Sequence, residues 1–222
     1  MGAWNGLAVA LSIHSFRKRL DCNNSNKIIP RRSRSHSTIF KFRIDEDIEL
    51  KLLEVRHAQE VYALVDSCRT SLREWLPWVD GSKSPEDTKF FIEAALKQFA
   101  ANDGFHAGIW YQGKMAGAIG CHGIDWGNRA TSIGYWLGEN FQGRGIMIKS
   151  CRALVNHTLV ELKLNRVEIR AAVENSKSRA IPEKLGFTNE GTLRQACWLY
   201  DHFVDLVVYG MLARDWQRLS PQ

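Results

Sequence analysis

The 222-residue sequence predicts an α/β domain of the α+β kind, a mixed, mostly antiparallel sheet flanked by helices. Three observations carry that expectation. Three strand-like segments follow one another between residues 104 and 137, which places antiparallel strands at the centre. Four other stretches show helical signals, apolar stripes at helical spacing and a cap. The resulting order of strands and helices contains no internal repeat.

The domain begins at Ile39, where apolar and charged residues start to alternate, and Ile48-Glu49-Leu50-Lys51-Leu52 is a period-two strand. Val61, Leu64, Val65 and Cys68 mark an amphipathic helix over about residues 56–69. Ser84-Pro85-Glu86-Asp87 supplies an N-cap, a proline at the first helical position and acids in the first turn. The helix it opens carries Ile92, Ala95, Leu96 and Phe99 to about Ala101. Gly104 to Tyr111 and Lys114 to Cys121, joined by Gln112-Gly113, read as a hairpin, and Arg129 to Leu137 as the next antiparallel strand. Ile148, Cys151, Val155, Leu159 and Leu162 form a helical stripe, and Arg166 to Val173 a strand. A short helix over Ser178 to Leu185 ends at Gly186; because it contains Pro182 it is expected to start late or bend. Phe187 to Trp198 and Val204 to Leu212 close the domain as two strands.

Charge divides the chain. Residues 1–44 hold nine Lys and Arg against one acid, whereas residues 45–222 hold 21 against 23. The net +6 therefore belongs to a leader, residues 1–38, and the domain, residues 39–216, is slightly acidic ahead of a short tail, 217–222. Such a leader buries too little apolar surface to order itself and reads as an unstructured extension. An organellar transit peptide or a basic arm for RNA or anionic lipid are the alternatives. Nucleic acid is not an expected partner of the domain. The longest apolar runs, near Leu7–Leu11 and Val204–Val208, fall far short of the roughly 20 residues of a membrane span. Five scattered cysteines without a Cys-x-x-Cys pair disfavour a disulfide framework and a zinc site, so reduced thiols in a cytoplasmic protein and no metal are expected.

Between Tyr135 and Met147 a strand runs into a glycine-containing turn, Gln142-Gly143-Arg144-Gly145, that opens a helix. Glycines let backbone amides approach a phosphate, and the helix start favours negative charge. The sequence is neither a Walker A loop nor the dinucleotide fingerprint.

With its flanks, Ile133 to Phe187, the loop resembles the GNAT acetyltransferases. Gln142-x-x-Gly145 matches the acetyl-CoA pyrophosphate loop of that family, with Met147 at its final Gly/Ala position. Asn175-Ser176-Lys177-Ser178 through Gly186-Phe187 is similar to the second cofactor segment. Glu74-Trp75-Leu76-Pro77-Trp78 and Asp205-Leu206-Val207-Val208-Tyr209 resemble the RimL-like branch, which acetylates ribosomal-protein N-termini. The likeness covers about residues 39–216.

It implies an acetyl-CoA-dependent N-acetyltransferase in which an amine attacks the thioester directly. The amides from Gln142 through Gly143, Arg144, Gly145 and Met147 to Ile148 would hold the pyrophosphate, and Leu137 would pair with the pantetheine arm. Asn175 would bond a pantetheine amide, and Ser178 would donate to the leaving thiolate. Cys197 stands where the RimL-like pattern has a glutamate, and a thiol is a poor base. His122 and Glu174 are the substitutes, each with a structural role as the competing reading, while His106, His157 and His202 carry no pairing signal. Trp75 and Trp78, on a proline-interrupted segment, either line the acceptor channel or fill the core.

The implied acceptor is a protein N-terminal amine, with a small-molecule amine (a polyamine, an aminoglycoside or an aminoacyl nucleotide) as the alternative. The slightly acidic domain favours a cationic acceptor. A silent acyl-CoA-binding module is the reading from a different class, motivated by Cys197. A homodimer is among the open assemblies.

Overall fold

The computed structural model describes residues 41–219. The expected leader, with Cys22, lies outside the described residues. An eight-stranded sheet has the order β1-β2-β3-β4-β5-β6-β8-β7. Its strands are β1 (Lys41–Arg43), β2 (Ile48–Leu52), β3 (Gly104–Tyr111), β4 (Lys114–Asp125), β5 (Ala130–Leu137), β6 (Arg166–Ala172), β7 (Thr188–Leu199) and β8 (His202–Leu212). Every neighbouring pair is antiparallel except β5 with β6. The mixed, mostly antiparallel α/β architecture is the one the sequence predicts.

Helices α1 (Ala58–Ser67), α2 (Arg69–Arg73) and α3 (Pro85–Ala100) pack on one face of the sheet. Helices α4 (Ile146–Asn156) and α6 (Ala213–Leu219) pack on the other, together with the end of α5 (Ser176–Lys184). The period of two along β5 divides its side chains accordingly. Ile133, Tyr135 and Leu137 point to the α4 face, and Trp136 points to the α1–α3 face.

Several signals act as expected. The Ser84 hydroxyl accepts from the Asp87 amide at 3.2 Å and starts α3. Gln112 and Gly113 both have positive φ, 50° and 78°, the twist a two-residue hairpin turn requires.

Three expectations are corrected. The helix expected over 56–69 breaks at Cys68, and α2 continues separately. The stripe expected from Ile148 to Leu162 holds at Cys151, Val155 and Leu159, which are buried, and fails at its ends: Ile148 and Leu162 are half-buried, and the buried face of α4 runs through Ile146, Met147, Ser150, Cys151, Leu154 and Val155. A π-helical turn at His157–Glu161, closed by Leu162 N–H to the His157 carbonyl at 2.9 Å, shifts the phase at its end. The helix containing Pro182 does not start late. It begins at Ser176 and carries the proline in its interior.

Cys68, Cys121, Cys151 and Cys197 are buried free thiols, and burial pushes Cys151 up to about 12 and Cys121 higher still. No helix among the described residues is long and apolar enough to cross a membrane.

Candidate active site

The parallel seam is short. Ala130, Thr131 and Ser132 pair with Arg166, Val167 and Glu168, and beyond these three positions β5 and β6 separate. The divergent ends, Ile133–Trp136 and Arg170–Ala172, form the walls of a cleft in the middle of the sheet. One side chain spans the split: the Tyr135 hydroxyl donates to the Ser178 carbonyl at 2.9 Å.

The outer part of the cleft is an open groove of about 680 Å³ between the end of β5, the glycine loop and α5. Its floor is backbone. Gly143 and Gly145 have φ of 74° and 73°, a region in which glycine carries no steric penalty, and a Cβ at either would meet nothing within 4 Å. Gly145 caps α4 without any side-chain cap bond, and the first backbone bond onto it comes from Lys149 at 3.2 Å. The amides of the first turn thus have no acceptor within the helix. That constellation fits the phosphates of acetyl-CoA.

Two cations stand nearby, Arg144 in the glycine loop and Lys177 on α5, where it lines the groove. Arg144 lies over the Tyr111 ring at 6.0 Å, and Lys177 donates to the Gln142 carboxamide oxygen at 3.0 Å. The Gln142 amide in turn reaches the Leu137 carbonyl at 3.5 Å, so Gln142 ties β5 to α5. The Met147 side chain is buried in the core, which is how a methionine fits where the family pattern has Gly or Ala.

On the facing side, Asn175 is the N-cap of α5, its Oδ1 accepting from the Ser178 amide at 3.0 Å. With that oxygen committed to the cap, the amide NH₂ is what its side chain can offer a ligand. Ser178 lines both the outer groove and the inner pocket. Helix α5 is locked to β8 by Arg179, which donates to the Tyr209 hydroxyl at 3.0 Å and the Val173 carbonyl at 2.8 Å. Tyr209 passes a bond on to Glu183 at 2.6 Å, which gives the closing segment of the chain a part in holding α5.

The inner pocket is small, about 100 Å³, and mostly apolar. Trp75 and Trp78 both reach it, but differently. Trp78 is buried against Trp136, ring centroids 6.0 Å apart, and is largely core, whereas Trp75 is half-buried and also borders the adjoining cavities. The Tyr200 hydroxyl, from the β7–β8 turn, donates to the Leu76 carbonyl and holds the tryptophan segment in place. Arg73 stacks over the Tyr200 ring at 3.9 Å and pairs with Asp80 at 2.8 Å.

His106 and His122 form the polar end of the pocket with ring centroids 4.7 Å apart. Burial holds His122 down to about 4 and His106 well below the usual imidazole range. Cys197 lines the same pocket, and burial raises its thiol. Glu174 is exposed and borders a separate open cavity with Arg73 and Tyr200, outside the pocket that Ser178 enters.

Comparison with known proteins agrees with this geometry. The family described as the acetyltransferase (GNAT) domain matches residues 47–188. The chain belongs to the GNAT acetyltransferase family. A relative named putative ribosomal N-acetyltransferase YdaF, from Bacillus subtilis, is 37% identical over 180 residues, 81% of this chain and 98% of its own length. A solved structure described as RimL, the ribosomal L7/L12 alpha-N-protein acetyltransferase, in complex with coenzyme A, superposes with a TM-score of 0.76. It is 28% identical and covers 79% of this chain and 99% of that one. The microcin C7 self-immunity acetyltransferase MccE, in complex with acetyl-CoA and AMP, superposes with a TM-score of 0.73 at 29% identity, covering 76% and 94%.

The two segments that resemble GNAT enzymes in sequence lie on opposite walls of one cleft, Gln142–Gly145 at the end of β5 and Asn175–Phe187 along α5. Sequence reasoning missed Tyr135, Tyr200 and His106. Only Tyr135 had a local signal, since a proline four residues beyond Ser178 announces a carbonyl in need of another donor.

Proposed function

We propose that this GNAT enzyme transfers the acetyl group of acetyl-CoA to the N-terminal amine of a ribosomal protein, in the cytoplasm where ribosomes are found. The observation that carries the reading is the position of Ser178, on the wall shared by a backbone-lined anion groove and an apolar pocket. The names of the YdaF and RimL relatives support the ribosomal acceptor.

The bound thioester supplies an activated acetyl carbon. The amides from Gln142 to Ile148 hold the pyrophosphate, the end of β5 at Leu137, paired with β4 but no longer with β6, receives the pantetheine arm, and Asn175 offers it an amide donor. Ser178 donates a hydrogen bond to the sulfur as the carbon–sulfur bond breaks, which stabilises the thiolate. Trp75 lines the way in for the acceptor.

His106, His122 and Cys197 are all uncharged near neutral pH, because burial depresses the imidazoles and raises the thiol. None is a strong base there. The pocket acts instead by its apolar surroundings, which favour the free amine over the ammonium, and the proton leaves to water. The rate at subsaturating acceptor is then expected to rise with pH through the acceptor's own pKa, about 7.7–8.0 for an α-amine.

Release of free CoA, followed with peptides copying ribosomal-protein N-termini beside polyamines, aminoglycosides and aminoacyl nucleotides, tests the proposal. Preferential turnover of one peptide supports it. Turnover confined to a small amine replaces the acceptor, and absence of turnover with all of them leaves only the acyl-CoA-binding reading.

A further inference from the structure

Ser178 has an unusual backbone environment. In a regular helix its carbonyl would accept from the amide four residues on, but that residue is Pro182, which has no N–H. Proline here orphans the acceptor on the residue that faces the cleft. The structure fills the vacancy from another element: Tyr135 of β5 donates its hydroxyl to that carbonyl at 2.9 Å. The Ser178 amide is held by a side chain as well, the Asn175 carboxamide at 3.0 Å. Both backbone polar groups of Ser178 are therefore fixed by side chains, one on its own helix cap and one across the split.

We infer that Tyr135 is a positioning residue for the acetyl transfer, and that Pro182 and Tyr135 form a matched pair that clamps α5 to β5 at Ser178. The inference rests on the role proposed for Ser178. The geometry explains why an interior helix proline suits this site. A helical bond from residue 182 would tie the Ser178 carbonyl to its own helix and leave its distance from β5 to general packing. The phenol instead ties it to the strand that forms the opposite wall, at the level where the seam between β5 and β6 has opened. The donor is stable in its role, because burial keeps the Tyr135 hydroxyl protonated, well above the usual phenol range. Loop closure farther out comes from a second bridge, Lys177 to Gln142, so the clamp sits between that bridge and the parallel seam.

A double-mutant cycle tests the pairing. Tyr135→Phe removes the donor but keeps the ring, and is expected to lower kcat about tenfold with the KM for acetyl-CoA changed less than about threefold. Pro182→Ala restores an amide that can donate to the Ser178 carbonyl. In that background Tyr135→Phe should cost less than about threefold, a rescue that an independent structural role would not show. A tenfold loss in both backgrounds, or in neither, overturns the proposal.

The carbonyl ¹³C resonance of Ser178 provides a readout free of turnover. It should move upfield in Tyr135→Phe, as a lost hydrogen bond requires, and return in the double variant; an unmoved resonance refutes the clamp directly. Ser178→Ala separates the two layers of the argument. Full activity in that variant overturns the catalytic reading of Ser178, and with it the purpose of the clamp, while the carbonyl shift still decides whether the bond itself exists.

Discussion

The two ends of the cleft are made of different material. The floor of the outer groove is consecutive backbone, a strand end, two glycines at positive φ and the first turn of α4, faced by α5. The inner pocket is built from residues that arrive from α3, every strand from β3 to β8, α5 and the tryptophan segment. The outer end can bind any ligand with phosphates in the right place, which suits a cofactor common to a whole family. The inner end can change one side chain at a time without disturbing the strands, which suits an acceptor that differs between members. Cys197, standing where the related pattern has a glutamate, is such a change.

Substitutions can break this division of labour. The largest effect is expected at Trp78, where truncation to alanine removes a buried ring packed on Trp136 and should cost about 3–5 kcal/mol of stability by denaturant unfolding. Trp75→Ala, by contrast, should leave the midpoint nearly unchanged and raise the acceptor KM. Equal destabilisation by the two would make both core residues.

Next is Ser178→Ala, expected to lower kcat about a hundredfold while acetyl-CoA binding by calorimetry stays within about twofold.

Acid comes third. His122 has a folded pKa of about 4 against about 6.5 unfolded, so between those values the unfolded chain binds more protons. The stability from the neutral imidazole is complete above about pH 6.5 and is lost as pH falls through about 4, a decline of roughly 1–3 kcal/mol. His122→Gln should flatten thermal melts over that window, and an unchanged slope would assign the acid sensitivity to other groups, His106 first among them.

The smallest effect sharpens the comparison most. Gly145 and Gly113 both have positive φ, 73° and 78°, and open space for a Cβ. Alanine at either should cost about 1 kcal/mol of backbone strain. Only Gly145→Ala should also weaken acetyl-CoA, by roughly tenfold in Kd, because only there do the altered amides face the groove. Equal affinities in the two variants would remove the loop from cofactor binding.

Legibility in the sequence follows the same division. The α3 cap at Ser84, the Gln112-Gly113 turn and the Gly143–Gly145 loop were readable because each is a few consecutive residues whose chemistry has few outcomes. The breaks at Cys68 and the π-helical turn at His157 were not, since an apolar stripe reports a face and says little about where the hydrogen-bond spacing changes. His106 shows the limit in the site. It comes 16 residues before His122 on the neighbouring strand, and nothing local marks the ring contact that the β3–β4 register creates.

The sequence by itself determined the mixed sheet, the anion-binding turn and the two segments that resemble the family. Each rests on local periodicity, or on glycine and capping chemistry that acts within a few residues. The tertiary structure decided where β5 parts from β6, which of two tryptophans is core, and how Tyr135 answers the carbonyl that Pro182 leaves without a donor. These depend on distances between segments that are far apart in the chain, and only packing sets such distances.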